Sequence, residues 1–182
     1  YYALLLNRAH AADVPAILDT SGRAFHLGIA ARPLLVKPNV TEAKQFLGEN
    51  VEAELASVPV IVGQRMREQG AQMAAITLGA DGAVLVTGMG AWSAQLSVSN
   101  PISGVGSGDA FVAGFIAGLH HAVESGECRS ITQAAEVAGI VVQAMNLAVA
   151  CGAANTLLLG AGIIKREDVE RFRHMVKVTA LK

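Results

Sequence analysis

The chain is poor in charge. Only 16% of its 182 residues are Asp, Glu, Lys or Arg, whereas 52% are hydrophobic. A chain of this length and apolar content can bury a sizeable core, which argues against intrinsic disorder. The net charge is −1, so the basic excess of a nucleic-acid-binding surface is absent. We therefore expect one globular domain over residues 1–182 with no nucleic-acid partner.

Cysteine is also scarce, with Cys128 and Cys151 as the two thiols of the chain. Two cysteines do not make a disulfide scaffold and favour a reducing compartment, which predicts a cytoplasmic protein. No spacing among these cysteines and the five histidines is typical of a zinc site. No secretory signal is expected from the N-terminal residues.

The longest uncharged stretch, residues 137–164, is long enough to cross a bilayer. However, Gln143, Asn146 and Asn155 place polar groups within it, and four glycines interrupt it. A buried helix followed by an apolar loop is the better interpretation, so no membrane partner is predicted.

The most informative run is residues 99–111, where glycines and serines lead into Asp109 and an apolar segment typical of a helix. Glycine lets backbone N–H groups converge on a ligand, and the start of a helix adds unpaired donors and a positive dipole end. Such a site suits a phosphate. Asp109 could take a proton from a hydroxyl while the amides of Gly106, Ser107 and Gly108 hold a phosphoryl group. The structural alternative is a plain turn before a helix with an ordinary N-terminal aspartate.

These residues resemble a known family. Gly106-Ser107-Gly108-Asp109 resembles the Gly-Ala-Gly-Asp signature of the PfkB (ribokinase-like) sugar kinases. With Asn100-Pro101 before it, the run resembles the branch that phosphorylates fructose 1-phosphate or tagatose 6-phosphate. Four other segments resemble that branch in the same order along the chain: a strand end at 17–22, Lys-Pro-Asn-x-x-Glu at 36–42, the nucleotide loop at 77–82, and the helix and loop near the adenine at 149–162. The resemblance extends to about residue 164.

Alternating strand and helix patterns independently indicate an α/β sheet with parallel pairing. The predicted strands are 14–18, 34–37, 72–77, 83–87, 92–98 and 176–181. The first predicted helix ends near His10, and a second, short helix begins after an N-cap at Thr41. Further helices are predicted over 51–70, 109–122, 130–150 and 166–175. The loops at 37–42, 77–82 and 104–109 are expected at one edge of the sheet, where ligands of such folds bind.

The resemblance implies a ribokinase-like three-layer α/β/α fold with a mostly parallel sheet. It also implies that an N-terminal portion, with the first strands, a lid and most sugar contacts, lies outside this chain. The chain would then be the C-terminal, nucleotide-side part of the kinase. A truncated sheet exposes apolar surface, so we expect a homo-oligomer.

The resemblance also assigns roles. It implies an ATP-dependent phosphotransferase acting on a sugar phosphate, with Asp109 as the general base. Lys37 would reach a nucleotide phosphate, and Asn39 with Glu42 would order Mg²⁺ and its water shell. The remaining nucleotide contacts would come from Thr77, Gly79, Gly82 and Asn155.

Other interpretations remain open. Asn39 and Glu42 could instead be a helix cap and a solvent-facing glutamate of the first turn. Lys37 could be an exposed lysine at a strand end, and residues 77–82 could form only a tight turn between strands. The chain could also be a catalytically inactive nucleotide-binding fragment, or belong to a kinase of another sugar or nucleoside. One departure from the branch concerns Asn100, which lies nine positions before Asp109 rather than six. Ser103 stands where many members carry an acidic residue beside a monovalent cation.

Overall fold

The computed structural model describes residues 1–48 and 58–181. By their contacts, these residues form two compact units. The first unit comprises Tyr1–Gly79 and Val84–Ala91, with Leu181 from the end of the chain. The second comprises Ala80–Ala83 and Trp92–Ala180. The single domain expected over residues 1–182 stays a prediction.

The first unit is built from short parallel strands and the helices between them. Its elements are α1 (Tyr2–Ala11), β1 (Ile17–Leu18), α2 (Gly22–Ile29), β2 (Leu35–Val36), α3 (Val40–Leu47), α4 (Pro59–Glu68), β3 (Met73–Thr77) and most of β4 (Ala83–Val86). β1 pairs with β2 and β2 pairs with β3, both in parallel. Residues of β2 and β3 are almost all buried, as is typical of a parallel sheet covered on both faces. The α/β prediction is confirmed.

The second unit is dominated by two long apolar helices. Its elements are most of β5 (Ala91–Gln95), then α5 (Ser107–Glu124), α6 (Ile131–Ala134), α7 (Ala138–Asn155), α8 (Arg166–Met175) and most of β6 (Lys177–Leu181). α5 and α7 pack so closely that a Cβ on Gly118 would lie 2.5 Å from the Cα of Ala144. Small residues at this contact are what let the two backbones approach.

α7 occupies the uncharged stretch that the sequence leaves open as a membrane span. Within the described ranges it is the helix long and apolar enough to cross a membrane, and 61% of it is buried inside the protein. Its packing on α5 matches the interpretation as a buried core helix.

Several element boundaries differ from the sequence predictions. Thr41 is not the N-cap of α3; Asn39 is, because its side chain bonds the amide of Glu42. Pro59 begins α4 instead of breaking a helix, since proline fits a first turn, and residues 51–57 of the predicted helix lie outside the described residues. α2 was not predicted. The predicted helix 130–150 is two helices, because the Ser130 cap fixes short α6 and the backbone is extended again at Val137 before α7.

Candidate active site

Lys37 follows β2 and is buried, with only 6% of its surface exposed. The parallel register aligns Leu18 with Val36, so the next residues, Asp19 and Lys37, are neighbours. The Lys37 Nζ lies 3.2 Å from Asp19 Oδ2. This pairing compensates the cost of burying an ammonium group. A contact between Lys37 and a nucleotide phosphate stays a prediction. No local sequence pattern indicates Asp19 as the partner of Lys37.

Asn39 and Glu42 form a reciprocal capping box at the start of α3. The Glu42 amide donates to Asn39 Oδ1 at 2.9 Å, and the Asn39 amide donates to Glu42 Oε2 at 2.8 Å. The helix cap of the alternative interpretation is therefore present, at Asn39. Glu42 Oε1 stands outside the box, and each bonded oxygen keeps a further lone pair. The pair can accept hydrogen bonds from the water shell of Mg²⁺, which usually keeps several waters. In the described part of the chain no cluster of three His, Cys, Asp or Glu could hold a metal.

The loops after β2 and β3 meet at the same edge of the first unit. Asn39 and Thr77 form a parallel bridge, and the Thr77 amide donates to Pro38 O at 3.0 Å. The predicted convergence of 37–42 with the start of 77–82 is confirmed. The position of Asp109 relative to these loops stays a prediction.

Gly79 and Gly82 both have left-handed backbones but very different surroundings. Gly79 has φ +64°, and a Cβ there would meet nothing within 4 Å, so its backbone is open to a ligand. Gly82 has φ +91°, and a Cβ would collide with Ala94 O at 2.0 Å. Gly82 is thus required for the turn itself, as the alternative interpretation held. Nucleotide binding by Thr77, Gly79 and Gly82 stays a prediction.

The glycine-rich run becomes the N-terminus of α5 in the second unit. Gly106 is the N-cap with φ +82°, and Ser107, Gly108 and Asp109 form the first turn. The Ser107 amide is bonded to Gly104 O at 3.2 Å. The amides of Gly108 and Asp109 remain the first-turn donors without an i−4 partner expected of a helix start. Asp109 is exposed beside them, and no hydrogen bond to its carboxylate is found within residues 1–48 and 58–181.

Asn155, at the C-terminal end of α7, is fully buried behind this loop. Its Nδ2 donates to Val105 O at 2.8 Å and to Ser107 Oγ at 3.1 Å. Its Oδ1 accepts from the Gly162 amide at 2.8 Å. A direct contact with a nucleotide stays a prediction, but the side chain is already engaged by three protein groups.

Cys151 lies one turn before Asn155 on α7 and is buried. Burial raises the pKa of its thiol, and the positive charge of Arg173 opposes that shift in part. The group is therefore a thiol at neutral pH and acts as an apolar packing residue.

Comparison with known proteins identifies relatives of this chain. The sequence profile described as pfkB family carbohydrate kinase matches residues 1–154. A 1-phosphofructokinase of Haemophilus influenzae is 31% identical over 149 residues, which is 81% of this chain and 46% of that protein. The 1-phosphofructokinase of Rhodobacter capsulatus is 42% identical over 115 residues, 63% of this chain and 36% of that protein. The chain therefore spans less than half the length of these relatives.

Solved structures show the same fold. A phosphofructokinase structure from Staphylococcus aureus superposes with a TM-score of 0.79 at 23% identity, covering 99% of this chain and 52% of that one. A ribokinase from Giardia lamblia superposes with a TM-score of 0.74 at 16% identity, covering 93% of this chain and 53% of that one. The expected ribokinase-like fold is confirmed. The profile match over residues 1–154, which is more than half of the chain, shows that the chain belongs to the pfkB family of carbohydrate kinases.

Proposed function

We propose that this chain is the nucleotide-side part of an ATP-dependent kinase that phosphorylates a hydroxyl of a phosphorylated ketohexose. The observation that carries the proposal is the start of α5, where Gly106 at φ +82° leads directly into exposed Asp109 and unpaired helix amides. Two requirements of phosphoryl transfer, a base and fixed donors for the transferred group, are met within one helical turn.

Asp109 would act as the general base. Its exposed carboxylate lies beside the first-turn amides of α5 and can accept the proton of the attacking hydroxyl. The amides of Gly106 and Gly108 would hold the oxygens of the transferred phosphoryl group, because the Ser107 amide is already bonded to Gly104 O. Loss of one such fixed donor costs about 3–4 kcal/mol of transition-state stabilisation in comparable sites.

Asn39 and Glu42 would hold the water shell of Mg²⁺ at the edge of the first unit. The capping box supports this role because it fixes both side chains without using all of their acceptor capacity. When bound with the nucleotide, the cation would neutralise phosphate charge. Open Gly79 supports approach of the nucleotide to the same edge.

Two observations support the substrate class and the compartment. Relatives at 31% and 42% identity are named 1-phosphofructokinase, which favours a sugar phosphate over a nucleoside as acceptor. Both cysteines are free and buried, which supports a reducing compartment such as the cytoplasm. Because the relatives are more than twice as long as the matched region, the acceptor-binding half is proposed to lie outside this chain.

The proposal is tested by coupled ADP release with ATP, Mg²⁺ and a panel of acceptors: fructose 1-phosphate, tagatose 6-phosphate and a nucleoside. We expect the 182-residue chain to bind Mg-ADP weakly in calorimetry without sugar turnover. The kinase that joins this chain to its acceptor half should turn over a ketohexose phosphate. Robust sugar-dependent turnover by the 182-residue chain alone would contradict the proposal that the acceptor-binding half lies outside it. Preference for the nucleoside would contradict the proposed substrate class.

A further inference from the structure

The loop before α5 is held from behind by the C-terminal end of α7. Asn155 uses both protons of its amide group on this loop, one on Val105 O and one on Ser107 Oγ. The carbonyl of Thr156, the next residue, accepts from the amides of Ile102 at 2.6 Å and Ser103 at 3.2 Å. These contacts join positions about fifty residues apart in sequence.

The same side chain also holds the loop that follows α7. Asn155 Oδ1 accepts from the Gly162 amide at 2.8 Å. A Cβ on Gly106 would lie 2.6 Å from both Ala161 Cα and Gly162 N, so the two loops are in direct backbone contact. Asn155 therefore lies where three segments meet: the end of α7, the loop before α5 and the loop after α7.

The polar atoms of Asn155 are all paired within the protein. Asn155 is 0% exposed, so water does not reach its amide from bulk solvent. Its two donors and its oxygen all have partners. Replacing it would take this partner away from the Val105 carbonyl and the Gly162 amide, and any polar group put in its buried place would have to be paired again.

We infer that Asn155 is a positioning residue that fixes the amide-bearing loop at residues 105–109, and that phosphoryl transfer depends on this fixation. The inference rests on the proposed kinase function for its catalytic part. Asn155 acts through Val105 and Ser107, because its own polar atoms are turned to the protein. Fixed donors stabilise a transition state only when they are held in place before the reaction, and a displacement of about 1 Å can cost 10²-fold in rate.

The test replaces Asn155 by Asp, which keeps the shape and the acceptor for Gly162 but removes both donors. Hydrogen exchange, followed by mass spectrometry, is measured for the amides of residues 102–109. The bond to Val105 O is lost and a carboxylate oxygen faces that carbonyl instead, which predicts exchange about 10- to 100-fold faster in this segment. In the complete kinase, kcat should fall on the order of 10²-fold while KM for ATP and sugar changes little.

Asn146→Asp is the matched control. Asn146 lies on the same helix and donates one hydrogen bond to a backbone carbonyl, that of Arg173 at 3.2 Å. The same chemical change there should leave exchange at residues 102–109 and kcat unchanged. If Asn155→Asp does not fold, Ser107→Ala removes one of the two bonds without placing charge in the core, and exchange should rise a few-fold.

Hydrogen exchange tests whether Asn155 fixes the loop, and kcat tests whether that fixation matters for catalysis. Unchanged exchange at residues 102–109 in Asn155→Asp, or in Ser107→Ala if that variant is needed, overturns the positioning role. If Asn155→Asp exchanges faster but its kcat equals that of the Asn146→Asp control, Asn155 is not important for catalysis. A wild-type kinase without phosphoryl transfer overturns the proposed function and the catalytic role with it, while exchange still decides whether Asn155 fixes the loop.

Discussion

In both units, individual polar side chains make hydrogen bonds that hold the backbone of loops and helix ends. Asn39 accepts from a helix amide, whereas Asn155 donates to one carbonyl and one hydroxyl oxygen and accepts from one amide. Lys37 is paired with Asp19 and buried. At these positions, residues that the family resemblance assigns to ligands also build the loops that would carry those ligands.

The capping box predicts different effects at two neighbouring positions. Asn39→Ala removes the acceptor for the Glu42 amide and should lower the free energy of unfolding by about 1 kcal/mol. Thr41→Ala should change it little, because Thr41 lies inside α3 and caps nothing. Urea unfolding of both variants measures the difference. Equal losses would show that the cap does not stabilise α3 as described.

Cys151 provides a pH-dependent prediction. Burial raises the pKa of its thiol, so at pH 7–8 the reactive thiolate should be scarcer than in an exposed cysteine. The folded state favours the neutral thiol, so this contribution to stability is present below the ordinary thiol pKa and is lost as pH rises above it. Iodoacetamide labelling followed by mass spectrometry should be slow in the folded protein and fast in urea. Rapid labelling of folded protein at pH 7 would contradict the assignment.

At the residue scale, local patterns are predictable and long-range partners are not. Asp109 at a helix start follows from the glycine-rich run, because the relevant residues are adjacent. The Asn155 contacts with Val105 and Ser107 depend on how α7 packs on α5, which no local pattern specifies. The Asp19–Lys37 pair lies between these cases, since it requires the register of two strands.

Among the elements, the pair α5 and α7 determines where the candidate anion site lies. α5 carries Asp109 in its first turn, and α7 ends in Asn155 behind the same loop. A Cβ on Gly114 would lie 2.9 Å from Ala148 Cα, and one on Gly152 would lie 3.1 Å from Ser107 O. The helix contact is therefore continuous from the middle of α5 to the loop.

Two glycine substitutions test this close packing. Gly118→Ala places a methyl group 2.5 Å from Ala144 Cα and should destabilise by about 1–3 kcal/mol through overpacking. Gly139→Ala on exposed α7 surface meets nothing within 4 Å and should be neutral or stabilise by up to about 1 kcal/mol. Denaturant unfolding compares them. If Gly118→Ala is as stable as Gly139→Ala, the helices do not pack this closely.

Element types were easier to predict than element ends. The buried strands at 72–77 and 83–87 were recognisable as apolar runs, and the structure places β3 and β4 there. α2 was missed because Gly22 has a left-handed backbone at its start and Ser21 makes no side-chain cap bond. Helix ends depend on such individual bonds, which composition does not specify.

At the scale of the whole molecule, apolar side chains remain on the surface of each unit. Tyr2, Leu4 and Leu5 of α1 are exposed in the first unit, as are Ile102 and Leu159 in the second. Surfaces of this kind favour association. We therefore expect the 182-residue chain to self-associate in sedimentation velocity experiments, and a clean monomer at high concentration would contradict this expectation.

The proposed catalysis depends most directly on Asp109, which would act as a base only in the transition state of phosphoryl transfer. Asp109→Asn keeps the shape of the side chain but removes the base. In the complete kinase, steady-state kinetics should show kcat reduced on the order of 10²–10⁴-fold, while calorimetry shows nucleotide affinity nearly unchanged. Unchanged turnover in Asp109→Asn would show that Asp109 is not the base.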